Sequence, residues 1–256
     1  MVSLGPIRQT LNNVLTLNLL AEMAWGFYYS IMITVKLNKE LDYEVYDDFK
    51  AFEMSGANFA EAIKKDHSNI HEDNYLQYID DFYKTNSDLL EKSCQEINDY
   101  LSQNQEAFFA KMNELFGLDF FTDEYLGYIS IFNCNPRYVE NKTFQIFYKK
   151  DLLDKAEVAF HESLHFAFFD FCDLFVDETR NLDKNNGPLW ELSEIFNVII
   201  LNLPQFQTIL KRPEQLFYPG LKEKFKQVQP IWLVNEGNLK NFIAESLNLW
   251  PKVPLT

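Results

Sequence analysis

Apolar and polar residues alternate strictly from Ser30 to Asn38, with Ile31, Ile33, Val35 and Leu37 on one side, the period of a half-buried strand. From Tyr43 to about Gly117 the apolar spacing turns helical, with interruptions near Ser55-Gly56 and Asp66 to Ser68. The longest predicted helix covers Ser87 to Phe116 and stops at Gly117, a residue that accepts the left-handed conformation at a helix end. Two strands follow, Tyr125 to Asn133 and Thr143 to Tyr148, and the turn-forming Cys134-Asn135-Pro136-Arg137 between them predicts a hairpin-like pair. Asp151 caps the next helix, with Asp154 adding favourable charge to its first turn, and that helix runs to about Val176. Apolar side chains cover nearly its whole circumference, so it is expected to be buried. Gly187-Pro188 opens a further helix to about Asn202, ahead of Pro204. Shorter helices are expected over Glu214 to Val228 and Asn238 to Leu249, broken by Pro219 and Pro230, while the first thirty residues read as a helical extension.

The pattern is α+β and predominantly helical. Residues 1–120 form a helical region with one early strand, residues 121–256 carry the strand pair and the buried helix, and the two read as one compact unit.

Composition narrows the function. A formal net charge of -15 opposes binding to nucleic acid or an anionic membrane surface, and leaves a neutral or basic polypeptide as the favoured partner. The abundance of Phe, 24 residues, against 8 Gly favours a filled interior with few tight turns. Cys94, Cys134 and Cys172 are odd in number and widely spaced, which fits a reducing compartment better than a disulfide framework. Cys172 reads as a small core residue. The apolar stretch from Asn13 to Val35 is interrupted by Asn18 and Glu22 and lacks a small-residue cleavage pattern, so neither export nor a membrane anchor is expected, and the reading is cytoplasmic.

Chemistry enters with His161-Glu162-Ser163-Leu164-His165, an H-E-x-x-H run inside the buried helix. Residues four apart share a helix face, so both imidazoles point at one ion with a carboxylate beside them. Burying His, Glu and His among phenylalanines is costly without a partner. A catalytic zinc needs a third protein ligand and an open fourth position. Trp190-Glu191-Leu192-Ser193-Glu194 offers two acids: Glu191 in the first helical turn, where the dipole and solvent account for it, and Glu194 on a mostly apolar stripe, where a carboxylate needs an opposite charge. Glu194 is preferred. Asn197, near the same face, can fix a histidine tautomer or simply be a helix-surface amide. His67 and His71 are also four apart, but their polar surroundings predict a solvated turn.

H-E-S-L-H followed by W-E-L-S-E on a second helix resembles the gluzincin group of zinc metallopeptidases, over roughly residues 125–202. The resemblance implies a zincin-like fold, with a small sheet ahead of the H-E-x-x-H helix and a second helix carrying the third ligand. It implies Zn2+ held by His161, His165 and Glu194, with Glu162 as the general base of peptide hydrolysis. An oxyanion donor is also expected. Tyr218 is the first choice, with Tyr125, Tyr128 and Tyr148 as rivals, and either predicted strand offers an edge to an extended peptide. The chain departs from the group in having no G-A-M-E-N-like stretch, and Val198 stands where thermolysin-like enzymes carry an acid. The compact size and the strands just before the motif look more like small gluzincins. The competing function is a non-catalytic binding protein in which metal only braces two helices.

Overall fold

The strand read from the alternation at residues 30–38 is β1 (Ile33–Leu37), and it lies in the same sheet as the strands that precede the H-E-x-x-H helix. A computed structural model of the protein describes residues 33–117 and 124–251. The sheet has the order β1-β4-β6-β5, with β4 (Tyr125–Ser130), β5 (Arg137–Tyr138) and β6 (Thr143–Phe147). β1 and β6 both run parallel to β4, and only β5 is antiparallel to its neighbour. The expected hairpin of the two long strands is therefore wrong. The segment between them is long enough to turn back as β5 and a short 3-10 turn at Val139–Asn141 before β6 enters alongside β4. Both predicted strands are interior, so neither has a free edge for a peptide, and the edges belong to β1 and β5. Gly127 makes this close packing possible, because a Cβ there would stand 2.9 Å from the Phe144 ring and 3.1 Å from Val35.

Helices surround the sheet. α1 (Lys39–Phe49) and α2 (Phe59–Asp66) flank a small hairpin of β2 (Glu53–Met54) and β3 (Ala57–Asn58), turned at Ser55-Gly56. α3 (Tyr75–Thr85) leads into α4 (Ser87–Phe116), which ends at Gly117 with φ 73°, as its sequence requires. α4 packs on β1, and its Gln105 and Asn98 side chains accept the Ile33 and Val35 amides at 2.8 and 2.9 Å. Those bonds satisfy donors of an edge strand that would otherwise be open.

α5 (Leu152–Phe175) starts at Asp151, whose carboxylate accepts the Asp154 amide at 2.8 Å. It is buried on nearly every side: Phe160, Phe166, Phe168 and Phe169 are enclosed, and Phe160 stacks on Phe108 of α4 with ring centroids 4.2 Å apart. Truncating one such ring typically costs about 3–5 kcal/mol. α6 (Gly187–Leu201) packs beside α5 and is equally enclosed. Cys172 is a core residue, as expected.

Two expectations downstream fail. Residues 214–218 are not helical, since Pro219 holds Tyr218 extended and the chain enters a helix only after the 3-10 turn Pro219–Leu221. The helix then runs as α8 (Lys222–Val234) through Pro230 rather than breaking there. Before it lies α7 (Pro204–Leu210), which the apolar pattern was too short to reveal, and after it α9 (Leu239–Leu247), capped by Asn238. His67 also departs from the solvated turn expected of it. It is buried, with Nε2 2.7 Å from the Ile131 carbonyl and Nδ1 3.0 Å from the Tyr78 hydroxyl, while His71 stays exposed. The local residues are polar, but the imidazole turns inward against α3 and the loop that follows β4. The N-terminal extension lies outside the described residues, and none of the described helices is long and apolar enough to cross a membrane. The described residues belong to one compact unit.

A single buried acid joins α1 to the sheet. Asp42 accepts Ser130 Oγ at 2.5 Å, the Ile131 amide at 3.0 Å and the Tyr83 hydroxyl at 2.8 Å. Asp42→Asn replaces an acceptor with a donor and is expected to destabilise the protein by about 1–3 kcal/mol. Burial holds the Asp42 carboxyl up at about 6, against the pull of its three donors. A raised folded value means that its contribution is fullest below the unfolded value, near about 4, and is lost as pH rises through 6. Urea unfolding of both proteins is expected to show a gap at about pH 5 that narrows by about pH 7.

Candidate metal centre

α5 places His161 and His165 one turn apart on the face turned toward α6, and α6 returns Glu194 to the same point. The two imidazole Nε2 atoms are 2.9 Å apart. Glu194 Oε2 lies 3.6 Å from His161 Nε2, and Oε1 lies 3.5 Å from His165 Nε2. Three atoms bound to one tetrahedral zinc at about 2.0–2.1 Å stand about 3.3 Å from each other. The two carboxylate oxygens of Glu194 each lie near one imidazole at close to that value, and one ligand atom from each of the three residues falls within 4.8 Å of the others; nitrogen and carboxylate donors are those zinc takes. Among the described residues this is the one cluster of three or more His, Cys, Asp or Glu side chains with such convergence. Glu191, the rejected acid, instead accepts the Trp250 indole N–H at 2.7 Å.

The supports of this triangle are less visible in the sequence. His161 Nδ1 is 3.1 Å from Glu214 Oε1, contributed by the extended segment after α7. A carboxylate on the far nitrogen of a ligating histidine fixes its tautomer and orientation. Asn197 does not do this: its Nδ2 donates to the His161 carbonyl at 2.8 Å, tying α6 to α5, and its Oδ1 is buried without a partner. Arg137 of β5 donates through Nη1 to Glu194 Oε1 at 2.9 Å and sits 3.7 Å from Glu162 Oε2. Neither Glu214 nor Arg137 lies near the motif in sequence. The extended loop and the two-residue strand that bring them in have no periodic signature.

The electrostatics follow from enclosure. Burial disfavours a charged His161, but Glu214, Glu194 and Glu162 overcome it and hold the imidazole well above its ordinary pKa. His165 is pushed down to about 3, first by burial and then by the Arg137 charge. Burial raises Glu162 to about 7 against the pull of His161 and Arg137. Burial also opposes charge on Glu194, but His165 and Arg137 prevail and hold it well below the usual carboxylate range. Glu162 and Glu194 thus face one guanidinium while Glu214 faces His161, an acidic surrounding that suits a cation.

His161, Glu162 and Glu194 line a cleft of about 820 Å³, with His165 fully buried and outside its lining. One side is formed by β5 and α5, another by the segment from Arg212 to Tyr218, and a third by α1 and the β2–β3 hairpin through Phe49, Phe52 and Met54. Tyr218 lines the cleft and meets Trp190 edge-on at 4.9 Å, whereas Tyr125, Tyr128 and Tyr148 do not line it. Burial and the nearby Glu194 charge push the Tyr218 hydroxyl up, so it remains a donor. The segment carrying Glu214 is fastened at both ends. Arg212 reaches Asp151 and Asp154, and the Gly220 amide donates to the Ser55 carbonyl at 2.9 Å. A Cβ on Gly220 would stand 2.9 Å from that carbonyl oxygen, so only glycine fits this closure without movement.

Zinc titration by calorimetry is expected to reach one ion per chain and to raise the melting temperature. Glu214→Ala is expected to weaken zinc binding about 10–100-fold, and Glu191→Gln to leave it unchanged.

Family models, curated proteins and solved structures each yielded no match to this chain, so its fold and site are read from its own residues.

Proposed function

We propose that this protein is a zinc-dependent peptidase with a zincin-like fold, holding Zn2+ through His161, His165 and Glu194. The observation that carries the reading is the convergence of His161, His165 and Glu194, with one ligand atom of each within 4.8 Å of the others, at a cleft that His161, Glu194 and Glu162 line. A bound zinc supplies water of lowered pKa and polarises a carbonyl. Glu162 has Oε2 buried without a hydrogen-bond partner, which leaves it free to take a proton from water and deliver it to the leaving amine. Glu214 orients His161 through Nδ1, and Tyr218 is a hydroxyl donor on the same cleft. The resemblance of H-E-S-L-H and W-E-L-S-E to gluzincins agrees with these roles.

The lining of the cleft favours a polypeptide. Asp48, Glu140, Asp154, Glu157, Glu162, Glu194 and Glu214 outnumber Arg137, Lys150 and Arg212, and the exposed Phe52 and Phe217 add an apolar wall. A polyanion is repelled there, while a neutral or basic peptide is not. Unpaired Cys94, Cys134 and Cys172 fit a cytoplasmic setting.

One observation favours a second reading. The bond from Arg137 to Glu194 already gives that carboxylate an internal cation. In that reading metal, or the ion pairs alone, braces α5 against α6 and no peptide is cut. Incubating the zinc-loaded protein with a mixed peptide library separates the two. The peptidase reading expects chelator-sensitive cleavage, and it expects Glu162→Gln to slow cleavage by about 10²–10⁴-fold while zinc stays bound. Intact peptides under all zinc-loaded conditions would leave the bracing role.

A further inference from the structure

We propose that Arg137 receives the carbonyl oxygen of the peptide bond being cut and stabilises the charge that gathers on it; this rests on the peptidase reading above. The guanidinium lies at the edge of the sheet on β5, lines the cleft, and is one-tenth exposed. It stands 2.9 Å from Glu194 and 3.7 Å from Glu162, so it borders the space that any oxygen beside the base would enter.

Its donors are largely unspent. A guanidinium has five N–H groups. Among the described residues the Arg137 guanidinium makes one hydrogen bond, through Nη1 to Glu194, and its Nε is buried without a partner. A buried donor-rich group in that condition fits an oxygen-bearing ligand. It is also held in place: β5 pairs with β6 at Arg137 and Phe144, and the guanidinium lies 5.7 Å from the Phe169 ring centroid. Donors fixed before reaction are those that stabilise developing charge most effectively.

The neighbours of Arg137 select the kind of oxygen. Glu162 and Glu194 flank it, so a terminal carboxylate bound there would face two like charges. A neutral carbonyl oxygen meets no such repulsion on arrival, and its attraction to Arg137 grows as charge develops. As water oxygen bonds to the carbonyl carbon, the C=O pair moves onto the oxygen facing Arg137 and the water proton passes to Glu162. When the C–N bond breaks, its electron pair leaves on the amine nitrogen, which takes that proton, and the C=O bond reforms in the carboxyl product.

The test uses the zinc-loaded full chain with Arg137→Lys, which keeps the cation beside Glu194, and Arg137→Met, which removes it. Each is assayed on one peptide sequence as free acid and as amide, by calorimetry with a phosphinic pseudopeptide, and by zinc analysis. The expected result is a fall in kcat of about 10²–10³-fold on both peptides. KM should stay within about threefold, phosphinate affinity should fall in step with kcat, and zinc should remain bound. Unchanged kcat with zinc bound overturns the proposal. A loss confined to the free acid overturns it in favour of a carboxylate receptor. Zinc loss from both variants overturns it in favour of a role limited to orienting Glu194. If zinc-loaded wild type cuts neither peptide, the peptidase reading fails and this proposal falls with it, whereas unchanged variants of a wild type that cuts overturn the proposal alone.

Discussion

Glu162, Glu194 and Glu214 are carboxylates gathered where phenylalanines exclude water, and such charges persist in an interior only as a compensated set. Compensation comes from the His161 imidazole and the Arg137 guanidinium, which different parts of the chain deliver. α5 supplies both histidines, β5 supplies Arg137, and the segment after α7 supplies Glu214. The packing of α5 on α6 is therefore an electrostatic arrangement as much as an apolar one. The aromatic sheath lowers the local dielectric, which strengthens each pairing and makes the loss of any partner expensive.

The same enclosure explains why the front half of the chain belongs to the site. α1 and the β2–β3 hairpin form one wall of the cleft, and Ser55 closes the segment that holds Glu214 on His161. Phe49, Phe52, Phe59 and Phe217 meet as an aromatic group at that wall. Apolar contact at the hairpin and charge pairing at the histidine are thus two ends of one strut. Its shape is set by Pro219 and Gly220.

Sequence reading succeeded where period and chemistry coincide. The alternation at Ile33 and Val35, the stop at Gly117, the cap at Asp151 and the enclosure of α5 all express local rules, and the structure repeats them. The placement of Glu194 beside the two histidines also followed from a local rule, that an acid on an apolar stripe needs a counter-charge. Failures came from long-range geometry. Parallel pairing of β4 with β6 and the sheet position of β1 depend on crossovers, which carry no short-range mark. His67 sits in a polar run yet turns inward because Ile131 and Tyr78 arrive from elsewhere. Glu214 sat within an expected helix, and only the restriction imposed by Pro219 argued otherwise.

The position of β1 has a consequence for how the molecule comes into being. Ile33 pairs with Tyr125, and β4 pairs in turn with β6, so early residues must wait for much later ones before the sheet can close. Such non-local pairing slows folding, since loop entropy is lost before contacts compensate. During synthesis α1 to α4 are made before β4 and β6. Arg137, both histidines, Glu194 and Glu214 come together only once the segment after α7 has been made, later than every strand of the sheet.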